Sequence, residues 1–168
     1  MAQKSLKNCT FTIKDGGSNS IEIKVGEGNV TWSEKRTIEY TLNRGKVSSA
    51  DGGATREGDD QPLDVSFDII FEYYKSSGTE DPTPVEALKK EGGASTWATT
   101  DTDDPCAPYA VNLEIVYDPD CDSGVTNPIE TITIPRFRWE SIDFDLSAGT
   151  LSVSGTCNST SISSARSA

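Results

Sequence analysis

Histidine is missing from all 168 residues. Because histidine is the usual general base and the commonest metal ligand near neutral pH, its absence removes the Ser–His and Cys–His dyads. The sequence also has no glycine-rich loop with a GK[ST] element after a strand pattern, which excludes a P-loop. Carboxylates are numerous, but they lie mostly on the polar sides of predicted strands, where solvated acids are far commoner than glycosidase pairs. We therefore expect a protein that is not an enzyme, with no catalytic residue and no cofactor.

The four cysteines form no CxxC pair, so their spacing predicts neither a zinc site nor a thioredoxin-like motif. Two acidic stretches, 101–104 and 118–122, do not match the spacing of an EF-hand, and no metal site is predicted. Buried thiols are the simplest interpretation of the cysteines. A disulfide between Cys106 and Cys121, which bracket one predicted strand, is the alternative.

Basic residues are scarce, with 15 against 27 acidic ones, and the net charge is −12. Such a surface should repel nucleic acid phosphates and anionic lipid. No stretch approaches the roughly 20 apolar residues needed to cross a bilayer, and the first residues do not form a signal-like apolar run. We expect a chain that is synthesised in the cytoplasm and does not bind membranes.

Most of the chain shows the period-2 alternation of apolar and polar residues that is typical of half-buried strands. The longest examples are 63–73 and 111–117, and about eight or nine strands are predicted in all. Between those two strands, Thr83 and Glu86 form a capping box that predicts a helix of about two turns over 84–91. Of the three tryptophans, Trp32 and Trp139 lie in strand patterns typical of core packing. Only Trp97, in a polar loop, stands out as an aromatic surface for a carbohydrate.

The pattern predicts an all-β fold, mainly antiparallel, built as a β-sandwich or a partly open barrel with one short α-helix and a long loop. Residues 1–157 are expected to form a single domain, and the Ser-rich segment 158–168 a flexible tail. The long loop, 43–62, has no buried-face signal. Loops of that length are usually functional or ordered by a partner, although a tolerated insertion is the alternative.

The order of these elements resembles that of bacteriophage major tail tube proteins over residues 7–156. The segments that carry the resemblance are VGEGNVTW at 25–32, PLDVSFD at 62–68 and FDLSAGTLSVSG at 144–155. The resemblance implies a β-sandwich subunit that forms hexameric rings, with strands joined edge to edge around a lumen. Stacked rings would form a tube whose acidic lumen conducts phage DNA during ejection without binding it.

The resemblance also suggests which residues line the lumen and which contact the next ring. The polar sides of the two longest strands are expected to line the lumen, and the residues concerned are Asp64, Asp68, Glu72, Asn112 and Glu114. Alternation alone does not decide between the lumen and the tube exterior for these residues. The long loop is expected to contact the next ring, through Asn43, Arg44, Lys46, Asp51, Arg56, Glu57, Asp59 and Asp60.

Partners follow from the same resemblance: further copies of the chain, the tail terminator, tape-measure and baseplate or tail-tip proteins, with or without a sheath. The expected location is the virion, after synthesis in the bacterial host cytoplasm. Two other classes remain open. One is the tube protein of a contractile injection or secretion device, and the other is a non-catalytic β-sandwich module that binds or decorates a capsid or fibre.

Overall fold

The structure is a computed structural model, and it describes residues 9–25, 30–70, 75–76, 79–118 and 129–167. Every strand pair in these ranges is antiparallel. The strands are β1 Cys9–Lys14, β2 Ser20–Ile23, β3 Val30–Ser33, β4 Ile38–Thr41, β5 Ala54–Glu57, β6 Leu63–Ile70, β7 Lys75–Ser76, β8 Thr79–Glu80, β9 Val111–Tyr117, β10 Ile129–Asp145, β11 Thr150–Cys157 and β12 Ser163–Ser167, and the α-helix α1 is Pro84–Lys89. The predicted all-β class with one short helix is confirmed.

Eight of the strands form one open sheet in the order β2-β1-β9-β10-β11-β6-β3, with β12 also paired to β10. The 17-residue β10 joins the two halves of this sheet. Its first part pairs with β9 and β12, and its second part pairs with β11. The register shifts between Ile134 and Phe137, where Arg136 has φ +54°, and again between Trp139 and Ser141. Such bulges bend a strand and increase its twist.

The sheet folds over on itself, as the aromatic residues of its core show. Phe11 on β1 and Phe67 on β6 are four strand positions apart, which in a flat sheet is roughly 19 Å at about 4.8 Å per strand. Their ring centroids are nevertheless 5.2 Å apart, and Phe67 lies 5.7 Å from Phe137. The β1 and β9 side of the sheet therefore packs face to face against the β11 and β6 side, as a sandwich.

Period-2 alternation correctly identifies the core side of the longest strands. The buried residues of β6 and β9 are Leu63, Val65, Phe67, Ile69, Val111, Leu113 and Ile115. The residues between them point outward and are at least partly exposed. Each strand thus contributes one apolar face to the space between the layers.

The predicted helix is present and has the predicted start. Thr83 Oγ1 accepts a hydrogen bond from the Glu86 backbone, and the Glu86 carboxylate accepts one from the Thr83 backbone, which completes the capping box. Ala87 and Leu88 are buried against the sheet. The helix ends earlier than predicted because Lys90 takes a left-handed conformation with φ +59°.

The C-terminal segment corrects the prediction of a flexible tail over 158–168. Residues 163–167 form β12, which pairs with residues 129–133 of β10. All five side chains of β12 are exposed, so the sequence has no apolar alternation to indicate a strand. The pairing depends on backbone hydrogen bonds, and these leave no signature in side-chain polarity.

Two tryptophans differ in burial from what the sequence pattern predicts. Trp97 is buried in the core with 4% exposure, although its neighbours are polar. Trp139 is 40% exposed, and Lys89 Nζ lies 5.2 Å from its ring centroid. The carbohydrate-stacking role considered for Trp97 is therefore excluded by burial.

Truncation of Phe67 should lower the free energy of unfolding more than truncation of any other side chain, because Phe67 contacts both Phe11 and Phe137 in the core. We expect Phe67→Ala to lower the free energy of unfolding by about 3–5 kcal/mol, measured by urea denaturation. Leu146→Ala is the matched control, since Leu146 is 84% exposed, and it should change stability by less than about 0.5 kcal/mol. Equal effects of the two substitutions would contradict the packing described here.

Candidate functional site

A two-stranded hairpin stands apart from the main sheet between β3 and β6. Its strands β4 and β5 pair from Ile38 opposite Glu57 to Thr41 opposite Ala54. We call residues 36–57 the arm. Apolar residues at 38, 40 and 42 alternate with polar ones, which is the pattern of a strand, and β4 lies there, but no residue of β4 or β5 is buried.

The arm carries an exposed apolar stripe on one side. Ile38, Tyr40 and Leu42 alternate along β4 and are 36%, 58% and 57% exposed, and Val47 near the turn is 48% exposed. The period-2 pattern here does not mark packing against the core of the same chain. Contiguous apolar surface of this kind is typical of an interaction site.

The segment 43–62, predicted as a loop without strands, is largely ordered by its own backbone. Asn43 and Lys46 exchange both backbone hydrogen bonds, at 3.0 and 2.9 Å. Arg44 and Gly45 between them have φ of +50° and +78°, which is the hairpin turn of type I′. A 3₁₀ turn at Ser49–Asp51 and strand β5 follow. Residue 45 is the glycine that this turn geometry favours.

The base of the arm is fixed to the sandwich. Gly58 N donates to Thr37 O at 2.8 Å, Lys35 pairs with Asp64 on β6, and Ile162 N donates to Glu34 Oε1 at 3.0 Å. All eight residues predicted to contact the next ring are exposed, on the arm or just after it: Asn43, Arg44, Lys46, Asp51, Arg56, Glu57, Asp59 and Asp60.

The outer side of β10, β11, β6 and β3 forms a surface of short polar side chains, which we call the hydroxyl–carboxylate face. Its members are Thr31, Asp64, Ser66, Asp68, Asp143, Ser152 and Ser154. Ser152 Oγ donates to Asp68 Oδ1 at 2.6 Å, and Thr31 Oγ1 lies 2.7 Å from Ser66 Oγ. A shallow groove of about 270 Å³ runs over this face.

Asn112 and Glu114 lie on the opposite outer side of the sandwich. Lys14 Nζ donates to Glu114 at 2.8 Å, and Arg136 N donates to Asn112 Oδ1 at 3.0 Å. The two layers turn their apolar sides toward each other, so their polar sides point away from each other. Asp64 and Asp68 therefore do not share a surface with Asn112 and Glu114, and Glu72 lies outside the described residues. Which of them line a lumen stays a prediction.

A buried ion-pair cluster that the sequence did not indicate holds the 98–110 loop to the sheet. Asp101, 2% exposed, accepts hydrogen bonds from Arg138 Nη2 at 2.7 Å and Asn158 Nδ2 at 3.3 Å. Arg136 Nη2 bonds to Asp103 at 2.5 Å, with Nη1 3.9 Å from Asp101. The hydrogen bond from Arg138 outweighs burial and lowers the pKa of Asp101 below its ordinary value.

Asp15 fixes the turn between β1 and β2 in a similar way. Its carboxylate accepts hydrogen bonds from Gly17 N, Asn19 N and Nδ2, and Ala98 N, at 2.8 to 3.0 Å. Burial raises the pKa of Asp15, but the hydrogen bonds together lower it by more than burial raises it. The pKa of Asp15 therefore lies below its ordinary value. Both buried aspartates thus serve as anchors of loops.

The described thiols differ in exposure. Cys106 is free and exposed, which speaks against its disulfide with Cys121, a residue outside the described ranges. Burial raises the pKa of Cys157 to about 12, so that thiol stays protonated. Within the described ranges no group of three acidic or cysteine side chains could hold a metal, and no helix is long and apolar enough to span a membrane. That the protein lacks catalytic residues, cofactor and metal stays a prediction.

Acid should destabilise the protein partly through Asp101. Because its folded pKa lies below the reference value of 3.8, its contribution is complete above about pH 5 and disappears as the pH falls through the folded pKa. We expect Asp101→Asn to lower the urea midpoint at pH 7 and the gap to wild type to narrow progressively as the pH falls below about 4. Asp59→Asn, at an exposed position, is the control and should match wild type throughout. A constant gap across this range would refute the assignment.

Comparison with known proteins adds no relative to these observations. No protein-family model matches the sequence, and no curated protein matches it either.

Proposed function

We propose that this chain is the ring-forming subunit of a bacteriophage tail tube, a structural protein that assembles as stacked hexameric rings. The observation that carries the proposal is a four-stranded layer, β10-β11-β6-β3, whose edge on each side has no partner among the described strands. Together with the arm and the hydroxyl–carboxylate face, these edges give the subunit the surfaces that such an assembly requires.

The two edges belong to β3 and to the second part of β10. Among the described residues, β3 pairs only with β6, and residues 138–145 of β10 pair only with β11. Unpaired strand edges are templates for pairing with another chain. Because the edges lie on opposite sides of one layer, identical copies can pair β3 with β10 repeatedly, and such a head-to-tail contact closes into a ring when the rotation fits.

Ring closure of this kind would give the hydroxyl–carboxylate face a common direction in every copy. We propose that it faces the lumen, with Asp64 and Asp68 as lining residues. Its side chains are short, which leaves the channel open, and its charge has the same sign as that of the DNA backbone. Like charge prevents the counterion release that drives non-specific DNA binding, so DNA could slide through.

The arm supplies a contact between rings in this proposal. Its exposed apolar stripe has no partner surface within the described sandwich, and its base is held to the sandwich by the contacts of Glu34 and Lys35. The same proposal includes the location of the protein and its partners. The location is the virion, and the partners are tail terminator, tape-measure and baseplate or tail-tip proteins, with or without a sheath.

Negative-stain electron microscopy of the purified protein tests the proposal directly. We expect rings or tubes with a central hole about as wide as duplex DNA, roughly 20 Å. A protein that stays a monomer or trimer at high concentration would contradict it and would favour a decoration or binding module. Tubes that are found with a contractile injection device in place of a DNA-filled tail would favour the secretion-tube alternative.

The direction of the hydroxyl–carboxylate face can be measured on the assembled tubes. In a Cys106→Ser background, Asp68→Cys labelled with a maleimide–gold cluster should place density at the tube axis. Glu22→Cys is the matched control, because Glu22 is exposed and lies on the opposite outer side, with Thr12 and Glu114. Its label should lie outside the tube wall. Gold outside the wall for both variants would show that Asp68 faces the exterior.

A further inference from the structure

The arm and the turn between β10 and β11 lie at opposite ends of the four-stranded layer. The arm leaves the layer where Ser33 pairs with Asp64 and Thr156 with Arg138. The other end is the turn at residues 146–149, next to the pair of Asp145 and Thr150. Eight residues of β6 separate the two ends, or about 26 Å at 3.3 Å per residue.

The turn presents apolar and acidic side chains together. Leu146 is 84% exposed and Phe144 is 53% exposed. Asp143 and Asp145 flank Phe144, and the sequence contains no basic residue from 139 to 165. Asp145 accepts hydrogen bonds from the backbone of Ser147 and Ala148 and from the Ser147 hydroxyl, so the turn has a defined shape.

The tip of the arm has the complementary chemistry. Leu42 and Val47 are exposed and flank Arg44 and Lys46, and the sequence has no acidic residue from 40 to 50. Lys46 Nζ lies 3.7 Å from Asp51 Oδ1, whereas Arg44 forms no ion pair with the described residues. In a chain with a net charge of −12, this tip is a local basic surface.

We propose that the arm tip of one copy, residues 42–47, docks on the β10–β11 turn of a second copy, residues 143–146. The inference rests on the proposed function, and it names the surface that receives the arm. Leu42 and Val47 would pack on Phe144 and Leu146, while Arg44 reaches around the end of β10 to Asp143, whose side chain lies on the other side of that strand.

The positions of the two surfaces determine whether the contact forms a closed ring or an open filament. Surfaces at opposite ends of a subunit form a heterologous contact, and when such a contact does not close on itself it propagates as a filament. The ascending leg of the arm has nine residues from 36 to 44, enough to reach about 30 Å when fully extended. Edge pairing between β3 and β10 makes rings, and the arm contact stacks them.

Charge and apolar area should contribute differently to this contact. Exposed ion pairs are screened by salt and contribute mainly specificity, whereas burial of Leu146 and Leu42 supplies most of the attraction. High salt should therefore weaken stacking only partly, and removal of Leu146 should weaken it at every salt concentration.

A charge-swap experiment on the full chain tests the assignment, with tube length measured by electron microscopy. Arg44→Glu and Asp143→Lys, each alone, should reduce mean tube length about ten-fold or more, because each places like charges opposite each other. The double variant Arg44→Glu with Asp143→Lys should recover long tubes. Leu146→Ser should shorten tubes as well, and urea midpoints equal to that of wild type establish that each variant is folded. Glu22→Lys, on the opposite outer side, is the control and should leave tube length unchanged.

The possible outcomes separate this inference from the proposed function. Single variants that form tubes of normal length, or a double variant that stays short, would overturn the docking site while tube formation by the wild type stands. Tubes that depend on Arg44 but not on Asp143 or Leu146 would place the arm on another surface and equally overturn it. A wild-type protein that forms neither rings nor tubes would remove the proposed function, and the docking site with it.

Discussion

The contact of Phe67 with Phe11 and Phe137 is the interaction on which the rest of the structure depends. It holds together two layers that belong to one continuous sheet, and the two bulges of β10 lie where the strand passes from one layer to the other. A straight 17-residue strand would span more than 50 Å at about 3.3 Å per residue and leave both apolar faces in water. Folding the sheet buries those faces against each other.

That fold leaves the polar surfaces and strand edges in a definite arrangement. The two polar sides of the sheet become opposite outer surfaces, one rich in hydroxyls and carboxylates and the other carrying the Lys14–Glu114 pair. Because β10 changes partners at its bend, its second part keeps one edge unpaired among the described strands. The layer that bears the hydroxyl–carboxylate face thus has an edge on each side and the arm at one end, and the proposed assembly needs all three.

The alternation of apolar and polar residues and the helix-capping motif predicted part of this arrangement. The elements that they did not predict were missed for physical reasons. Alternation located β6 and β9 and their buried residues, and the capping box located α1, since both depend on neighbours in the chain. Alternation in β4 was equally clear, yet its apolar side is exposed, because the pattern records an apolar face and not which molecule covers it. β12 was missed because all its side chains are exposed and show no apolar alternation. The division of Asp68 and Glu114 between opposite surfaces depends on the long-range fold of the sheet, and the Asp101 cluster joins residues far apart in sequence.

Assembly as proposed joins identical copies through the two edges of one layer that have no partner among the described strands. Amide hydrogen exchange, compared between dilute monomer and concentrated assembled protein, tests it most directly. We expect new protection for backbone amides in residues 30–33 and 138–145 on assembly, with residues 130–133, already paired on both sides in the monomer, protected in both states. Equal exchange of the β3 and β10 edge amides in the two states would contradict the account.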